Sequence, residues 1–235
     1  MSEVRKKFKA TVIVQARMSS TRLPEKAALD MGGAPMLARL LERLSKLPAA
    51  YRRVVATSTE KHDNFIADTA SEAGWHTVRG PLDDVLGRYA LALGQFPSPF
   101  AVRVTGDNPF TDPKALVAMV ELAATRQADY VHAPEMPIGT AAEVFSAACL
   151  THCTDAATTP FAREHINAYI YDNRDQFNIC NYRLDTLENK NSYLRLTVDT
   201  EEDFAFANQL YSALHGNMAA SLATVISTAE NLAHE

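Results

Sequence analysis

The stretch T11-V12-I13-V14-Q15-A16-R17-M18-S19-S20-T21-R22-L23-P24-E25-K26, residues 11 to 26, shows how this chain begins its fold. Its apolar start predicts a buried strand over residues 11–15. The chain then turns polar at once and carries Arg17, Arg22 and Lys26, with hydroxyl side chains between them. Because the whole chain has a net charge of −5, this local positive charge indicates an anionic ligand. A solvated basic surface loop is the alternative.

Outward from this stretch, short apolar runs alternate with amphipathic segments. The predicted strands are 11–15, 53–57, 75–79, 100–104, 129–132, 177–182 and 193–198. The predicted helices are 35–47, 62–73, 83–95, 112–126, 160–172, 200–214 and 219–233. This alternation predicts a single α/β domain over residues 1–235, with a three-layer, mostly parallel sheet and helices on both faces. Residues 133–190 interrupt the alternation and are interpreted as a small excursion from the sheet.

The composition narrows the functional classes. The chain has 235 residues, of which 47% are hydrophobic and 22% charged, as is usual for a globular protein. Its acidity argues against a nonspecific nucleic-acid binder, and no apolar run is long enough for a membrane span. The three cysteines lack the spacing of a zinc site, so we expect reduced thiols in a cytoplasmic protein.

The basic loop lacks the glycines of the common phosphate motifs. There is no GxxxxGK[ST] motif, and residues 15–26 contain no glycine. What remains is the spacing R-x4-R-x3-K at Arg17, Arg22 and Lys26. Arginine can grip phosphate oxygens with two hydrogen bonds, whereas lysine acts as a mobile point charge. The loop therefore has the side chains of a phosphate site without a glycine-rich backbone.

Two aspartates follow predicted strands directly. Asp107 lies in T-G-D-N-P after strand 100–104, and Asp199 lies in T-V-D-T-E-E-D after strand 193–198. Ligands of parallel sheets bind at the carboxyl ends of the strands, and carboxylates there suit Mg²⁺, which also keeps waters and phosphate oxygens as ligands. The alternatives are a turn residue before Asn108 for the first aspartate and a helix cap for the second.

These segments together resemble a known family. A16-R17-M18-S19-S20-T21-R22-L23-P24-E25-K26, followed by G32-G33-A34-P35-M36-L37, resembles the nucleotide-binding signature of the CMP-sugar synthetases, which include acylneuraminate and 3-deoxy-octulosonate cytidylyltransferases. The similarity is greatest to the branch named after spore-coat polysaccharide biosynthesis protein F. It recurs, in order, at V55–T59, R79-G80, D83–Y89, R103–P109, R163–H165 and L196–F204. The resemblance implies a nucleotide-diphospho-sugar transferase-like fold.

The resemblance also implies a reaction and its site residues. CMP would pass from CTP to a sugar or sugar-acid-like acceptor with loss of pyrophosphate, with Mg²⁺ as cofactor, in a homodimer that makes surface polysaccharide or glycoconjugate precursors. The implied catalytic residues are Arg17, Lys26 and Asp107, and the implied metal ligands are Asp107 and Asp199. The implied nucleotide-binding residues are Ala16, Arg17, Ser20, Arg22, Lys26, Arg79 and Thr105. The excursion would supply the dimer contact and the acceptor-binding residues Gly139, Glu143, Arg163 and His165.

One departure and three rival functions remain. G-T-A-A-E at 139–143 stands where the nearest branch often has G-x-D-x-E, so an acceptor contact is missing. A glycosyltransferase would commonly carry a D-x-D motif, and this sequence has none. A nucleotidyltransferase for another base, or for a phosphate or phosphonate acceptor, is the second rival. The third is a non-catalytic nucleotide-binding regulatory protein.

Overall fold

A computed structural model of the chain describes residues 9–184 and 194–234. Strands in this part form one seven-stranded sheet in the order β3-β2-β1-β4-β6-β5-β7. They are β1 (Ala10–Gln15), β2 (Tyr51–Ser58), β3 (His76–Gly80), β4 (Phe100–Thr105), β5 (Tyr130–His132), β6 (Glu143–Ser146) and β7 (Ile179–Asn181). Strand β6 pairs antiparallel with both of its neighbours, and the other pairs are parallel. The predicted mostly parallel sheet is confirmed.

Helices connect most of these strands. They are α1 (Met36–Leu44), α2 (Asn64–Glu72), α3 (Val85–Gln95), α4 (Pro113–Arg126), α5 (Ala147–Ala156), α6 (Pro160–Glu164), α7 (Ala168–Asp172), α8 (Glu201–Ala213) and α9 (Leu222–Ala233). Short 3₁₀ turns lie at Lys26–Ala28, Lys61–Asp63 and Arg174–Gln176. Helix α4 begins at a predicted cap: the Asp112 carboxylate accepts from the Ala115 N–H at 2.8 Å.

The first strand is buried on both faces. Val12 and Val14 pack in a cluster with α1, α2 and α4, whereas Ile13 points to the opposite face and packs with α3, α5, α6 and α7. Side chains alternate between the two faces of a strand, so an unbroken apolar run is the pattern of a strand covered on both sides. Helices on both faces give the three layers that the sequence predicts.

A third apolar cluster lies beside the sheet and supports the basic loop. It joins α8 and α9 to Leu23 of that loop and to Leu194, Leu196 and Val198. The loop and the segment that leads to Asp199 therefore rest on the same core. This shared packing holds the two segments beside each other.

The sequence predicts two elements incorrectly near the C-terminal part. Residues 194–198, predicted as part of a strand, form none, and Arg195 makes only an isolated bridge with Ile138. The alternating apolar residues of this segment are buried because they fill the third cluster, not because the segment joins the sheet. The predicted helix 160–172 is split into α6 and α7 around residues 165–167.

The excursion contributes more to the sheet than the sequence predicts. Strands β6 and β7 both lie within 133–190, and helix α5 in the same range was not predicted. The acceptor-binding and dimer roles of this segment stay predictions. Cys149, Cys153 and Cys180 are free thiols, as expected from their spacing. None of the helices in residues 9–184 and 194–234 is long and apolar enough to cross a membrane.

Candidate active site

A cleft opens at the carboxyl ends of the two central strands. Strand β1 pairs with β2 on one side and with β4 on the other, so the strand order reverses at β1 and β4, where ligands of such sheets bind. Gln15 and Thr105 are paired at the ends of these strands. The cleft has a volume of about 500 Å³. The predicted site residues that line it are Ala16, Arg17, Ser20, Arg22, Lys26, Thr105, Asp107, Gly139, His165 and Asp199.

The basic loop is a packed part of the fold. Met18 and Leu23 are buried, and the Met18 N–H donates to the Asp63 carboxylate at 2.8 Å. Asp63 also accepts from the Ser58 N–H at 3.1 Å and from the Ser58 hydroxyl at 2.5 Å. Burial alone would raise the pKa of Asp63, but these hydrogen bonds hold it below its usual value. A solvated surface loop does not fit this anchoring.

Lys26 connects the loop to both predicted metal ligands. Its ammonium Nζ lies 2.7 Å from Asp107 Oδ2 and 3.1 Å from Asp199 Oδ1. It also donates to the Val198 carbonyl at 2.9 Å. The Lys26 side chain is 14% exposed, so solvent screens these interactions less than it would at the surface. The two aspartates therefore converge on one cationic position.

Asp199 is surrounded by further positive charge. The Arg22 Nη2 lies 2.8 Å from Asp199 Oδ1, and the Arg195 Nη2 lies 2.5 Å from Asp199 Oδ2. Burial opposes the ionisation of Asp199, but the hydrogen bond and charge of Lys26, followed by Arg22 and Arg195, hold its pKa below the usual range. The carboxylate is thus ionised at neutral pH.

Backbone contacts bring the two aspartates together. The Gly106 N–H donates to the Gln15 carbonyl at 2.7 Å, and a Cβ at Gly106 would lie 2.8 Å from the Ala16 Cβ. The Val198 N–H donates to the Asp107 carbonyl at 2.8 Å. Asp107 is therefore tied on one side to the end of β1 and on the other to the residue before Asp199.

The donor set at this position suits a divalent cation of the magnesium type. Carboxylate oxygens of Asp107 and Asp199 already accept a positive charge, the Lys26 ammonium, between them. In the two described ranges, no group of three or more His, Cys, Asp or Glu side chains is arranged to hold a metal. A site of two carboxylates fits Mg²⁺, which commonly takes its remaining ligands from water and substrate phosphates.

Two predicted residues have side chains engaged elsewhere. Arg79 donates to the Ser58 carbonyl at 2.8 Å, the Asn64 Oδ1 at 2.7 Å and the Glu60 carbonyl at 2.8 Å, outside the cleft. Arg163 makes a two-pronged pair with Asp84, with Nε–Oδ1 at 2.8 Å and Nη2–Oδ2 at 2.5 Å. The structure therefore does not bring Arg79 and Arg163 together with the other predicted site residues.

Glu143 lines a smaller adjoining pocket of about 310 Å³ that shares Arg103 and Thr105 with the cleft. Its carboxylate is paired with Arg103 and accepts from the Tyr130 hydroxyl and from Asn167. Burial would raise the pKa of Glu143, but the charge of Arg103 and these hydrogen bonds lower it. Glu143 is an ionised member of a buried network beside the cleft.

Several cleft residues were not among the predicted site residues. Arg195 lies four residues before Asp199 and could have been found from the charge pairing of that spacing. Glu164 pairs with Arg17 at 3.1 Å, from α6 to the basic loop. Arg88 is buried at the start of α3 and donates to the Leu82 carbonyl at 2.7 Å. Burial, and to a smaller extent the charge of Arg17, lowers the pKa of Arg88. No sequence signal short of the family resemblance marks Arg88.

The assembled cleft is suited to a polyanion. Arg17 and Arg22 are exposed enough to exchange their carboxylate partners for a ligand, with side chains 38% and 66% accessible. Lys26 and the two aspartates lie next to them. Positive side chains beside a carboxylate pair can bind phosphates and the cation that accompanies them.

Comparison with known proteins agrees with this arrangement. The family model described as cytidylyltransferase matches residues 11–228. The spore coat polysaccharide biosynthesis protein SpsF of Bacillus subtilis is 31% identical over 209 residues, which are 85% of each chain. A cytidylyltransferase structure from Leptospira borgpetersenii superposes with a TM-score of 0.89 at 29% identity, over 97% of this chain and 96% of that one.

A more distant structure shares the fold. CMP:2-keto-3-deoxy-manno-octonic acid synthetase, solved in complex with CTP, has a TM-score of 0.66 at 14% identity, over 86% of this chain and 98% of that one. The match of the family model covers most of the chain, including the basic loop, Asp107 and Asp199. The resemblance drawn from the sequence is therefore confirmed. The chain belongs to the cytidylyltransferase family, within the CMP-sugar synthetase superfamily, and is a nucleotidyltransferase.

Proposed function

We propose that this enzyme uses Mg²⁺ to transfer CMP from CTP to a sugar or sugar-acid-like acceptor, with release of pyrophosphate. The product would be a precursor of surface polysaccharide or glycoconjugate. The observation that carries the proposal is the meeting of the basic loop with Asp107 and Asp199 through Lys26, at 2.7 and 3.1 Å. The choice of cytidine is supported by the family and by the CTP held in the structure of CMP:2-keto-3-deoxy-manno-octonic acid synthetase.

The reaction would depend on positioning and charge. An acceptor oxygen attacks the α-phosphorus of CTP, the bond to the bridging oxygen breaks, and pyrophosphate leaves with its electron pair. Arg17, Arg22 and Lys26 bind the triphosphate and balance the charge that develops on the leaving pyrophosphate. Asp107 and Asp199 would hold Mg²⁺, which supplies Lewis-acid neutralisation of phosphate charge.

The acceptor would occupy the side of the cleft formed by the 133–190 segment. Gly139 and His165 line the cleft itself, and Glu143 lies in the adjoining pocket. The relation to a polysaccharide biosynthesis protein supports a sugar-type acceptor. Because the chain lacks the acidic residue that the nearest branch often has between positions 139 and 143, a different base or a phosphate or phosphonate acceptor is the alternative, followed by a non-catalytic regulatory role.

The decisive experiment measures pyrophosphate release with each of the four nucleoside triphosphates. Each reaction contains Mg²⁺ or EDTA and one member of a panel of sugars, sugar acids, phosphates and phosphonates. We expect release only with CTP, Mg²⁺ and a sugar or sugar-acid acceptor. CTP binding without release over the whole panel would favour the regulatory role, and release with another triphosphate would reject the cytidine assignment.

The metal assignment has its own variant. Asp107→Asn removes one ionised ligand, and we expect pyrophosphate release to fall by about a hundredfold or more, as when a major charge-stabilising group is lost. Asp68→Asn, at an exposed position of α2, is the matched control and should retain full activity. Full turnover with unchanged Mg²⁺ dependence in Asp107→Asn would contradict the role of Asp107.

A further inference from the structure

We propose that the Lys26 ammonium takes the place of the metal when the cleft is empty, and that it exchanges this position for the triphosphate when metal and nucleotide bind. This inference rests on the proposed function because it assigns the same carboxylates to the metal. It adds a second role to Lys26: the side chain holds the two metal ligands in position before substrate arrives. Metal and nucleotide binding are then coupled through one lysine.

The first step of the argument is the position of the Lys26 Nζ. It donates to Asp107 Oδ2 at 2.7 Å, to the Val198 carbonyl at 2.9 Å and to Asp199 Oδ1 at 3.1 Å. An ammonium has three N–H donors, so these acceptors use all of them. Lys26 is therefore fully engaged with the carboxylates and has no donor left for a phosphate in this state.

The second step is that a metal and this ammonium exclude each other. Magnesium binds carboxylate oxygens at about 2.0–2.1 Å. A cation at that distance from both of the same oxygens would lie in contact with the Nζ, with two positive charges side by side. The Lys26 side chain must therefore leave before the two aspartates can share a metal.

The third step is where the lysine can go. The basic loop places Arg17 and Arg22 on the same cleft, so a triphosphate bound there lies within the surroundings of Lys26. The lysine side chain has four flexible carbons and a strongly hydrated charge, so its ammonium moves readily between acceptors. Phosphate oxygens then replace the carboxylates as the acceptors of its hydrogen bonds.

The physical consequence is a coupling of the two ligands. Metal alone must displace Lys26 into a cleft that is already rich in positive charge, and it binds weakly. Metal together with a triphosphate finds the lysine drawn away, and it binds more tightly. Coupling of this kind between two sites commonly amounts to about 5- to 150-fold in affinity.

The test measures binding of Mn²⁺ alone, a spin-active ion with oxygen preferences similar to those of Mg²⁺, by electron paramagnetic resonance and calorimetry. Lys26→Met keeps the length of the side chain and removes its charge. We expect Lys26→Met to bind Mn²⁺ about tenfold more tightly than the wild type in the absence of nucleotide. A lysine that serves only the triphosphate would leave the affinity for metal alone unchanged, and that result would overturn the inference.

Two further variants serve as controls. Arg17→Met removes a cation that pairs with Glu164, not with the aspartates, and should leave Mn²⁺ affinity at the wild-type value. Arg22→Met removes an exposed partner of Asp199 and should have a smaller effect than Lys26→Met, because solvent screens that pair. An Arg17→Met gain equal to that of Lys26→Met would reduce the effect to general charge and overturn the inference.

The outcome separates this inference from the proposed function. If wild type and Lys26→Met bind Mn²⁺ equally while the wild type releases pyrophosphate from CTP, only the lysine exchange is wrong. If neither protein binds Mn²⁺ alone or with CTP, the metal assignment fails as well. Should Lys26→Met not fold, Lys26→Gln, which is also neutral but can donate to a carboxylate, provides the same comparison.

Discussion

Gly139 has a backbone conformation that other residues rarely adopt. Its φ is +93°, and a Cβ there would lie 2.5 Å from the Thr197 nitrogen and 2.7 Å from the Leu196 carbonyl carbon. Both contacts are to backbone, which cannot rotate away as a side chain can. The sequence marked Gly139 as an acceptor residue, whereas its geometry gives it a structural role, because it allows close approach to the segment that carries Asp199.

We therefore expect Gly139→Ala to lower the free energy of unfolding by at least about 2 kcal/mol, from strain and overlap together. Gly94→Ala is the matched control, because Gly94 lies in α3 with no atom within 4 Å of an added Cβ. That change should be neutral or stabilise the protein by up to about 1 kcal/mol. Urea denaturation measures both, and equal stabilities of the two variants would contradict this explanation.

Asp63 is a second residue with a defined structural role, since it anchors the basic loop to the end of β2. Asp63→Asn replaces one carboxylate oxygen by an NH₂ group that faces the N–H donors of Met18 and Ser58. We expect a loss of about 1–3 kcal/mol in unfolding free energy at pH 7. The exposed Asp68→Asn variant should stay within about 0.5 kcal/mol of the wild type.

The same substitution predicts a pH dependence. The pKa of Asp63 is lower in the folded protein than the value of about 3.9 for an unfolded aspartate, so its stabilisation is complete above that value. It is lost as the pH falls through the folded pKa. The stability difference between wild type and Asp63→Asn should therefore be constant from pH 7 to about 5 and shrink below about 4. A difference that grows on acidification would contradict the sign of the shift.

At the level of elements, α6 is attached to the start of α3 by one ion pair. Arg163 holds Asp84, which also caps α3 by accepting from the Gly87 N–H at 2.8 Å. Because the pair is partly buried and two-pronged, we expect Arg163→Met to cost about 1–3 kcal/mol in stability. The expected effect on the acceptor KM is small, because the guanidinium is engaged outside the cleft.

A double-mutant cycle with Asp84→Asn tests this assignment, since asparagine keeps an oxygen for the helix cap. We expect a coupling energy of about 1 kcal/mol or more between the two positions. A large rise in the acceptor KM of Arg163→Met without loss of stability would instead support the acceptor role predicted from the sequence. Denaturation curves and steady-state kinetics of the same preparations distinguish the two results.

The elements that the sequence predicts best are those with a local cause. Strand β1 is predicted within one residue of its ends because its unbroken apolar run is buried on both faces. Strand β6 escapes prediction because it has only four residues and depends on antiparallel pairing with β4 and β5, which are distant in sequence or separated by a long loop. The alternation at 194–198 resembles a strand although these residues pack on α8 and α9.

The candidate site follows the same rule at the scale of the whole molecule. Residues just past strand ends, such as Lys26 and Asp107, meet because parallel strands end at one edge of the sheet. Arg79 also follows this rule, since it lies near the end of β3, but local carbonyls take up its side chain. Which strand-end residue faces the cleft depends on hydrogen bonds that a sequence pattern does not contain.

Assembly is the last property that belongs to the whole molecule. The predicted homodimer would use the 133–190 segment, where the Phe161 side chain is 64% exposed. Large exposed apolar side chains in contiguous patches mark protein interfaces. We expect Phe161→Asp to shift the protein from dimer to monomer in sedimentation equilibrium. Leu91→Asp, at an exposed apolar position on α3 outside that segment, is the comparison. A dimer lost only in Leu91→Asp would place the interface elsewhere.

The joining of Lys26, Asp107 and Asp199 also has a consequence for biosynthesis. A chain emerging from the ribosome can pair β1, β2, β3 and β4 once residue 105 is free, but it receives its second carboxylate only at residue 199. Domains often begin to fold from their N-terminal part during synthesis. A chain released before that point would have the basic loop and one aspartate, and would lack the pair of acidic ligands. The enzyme therefore becomes competent only after residue 199 has been synthesised.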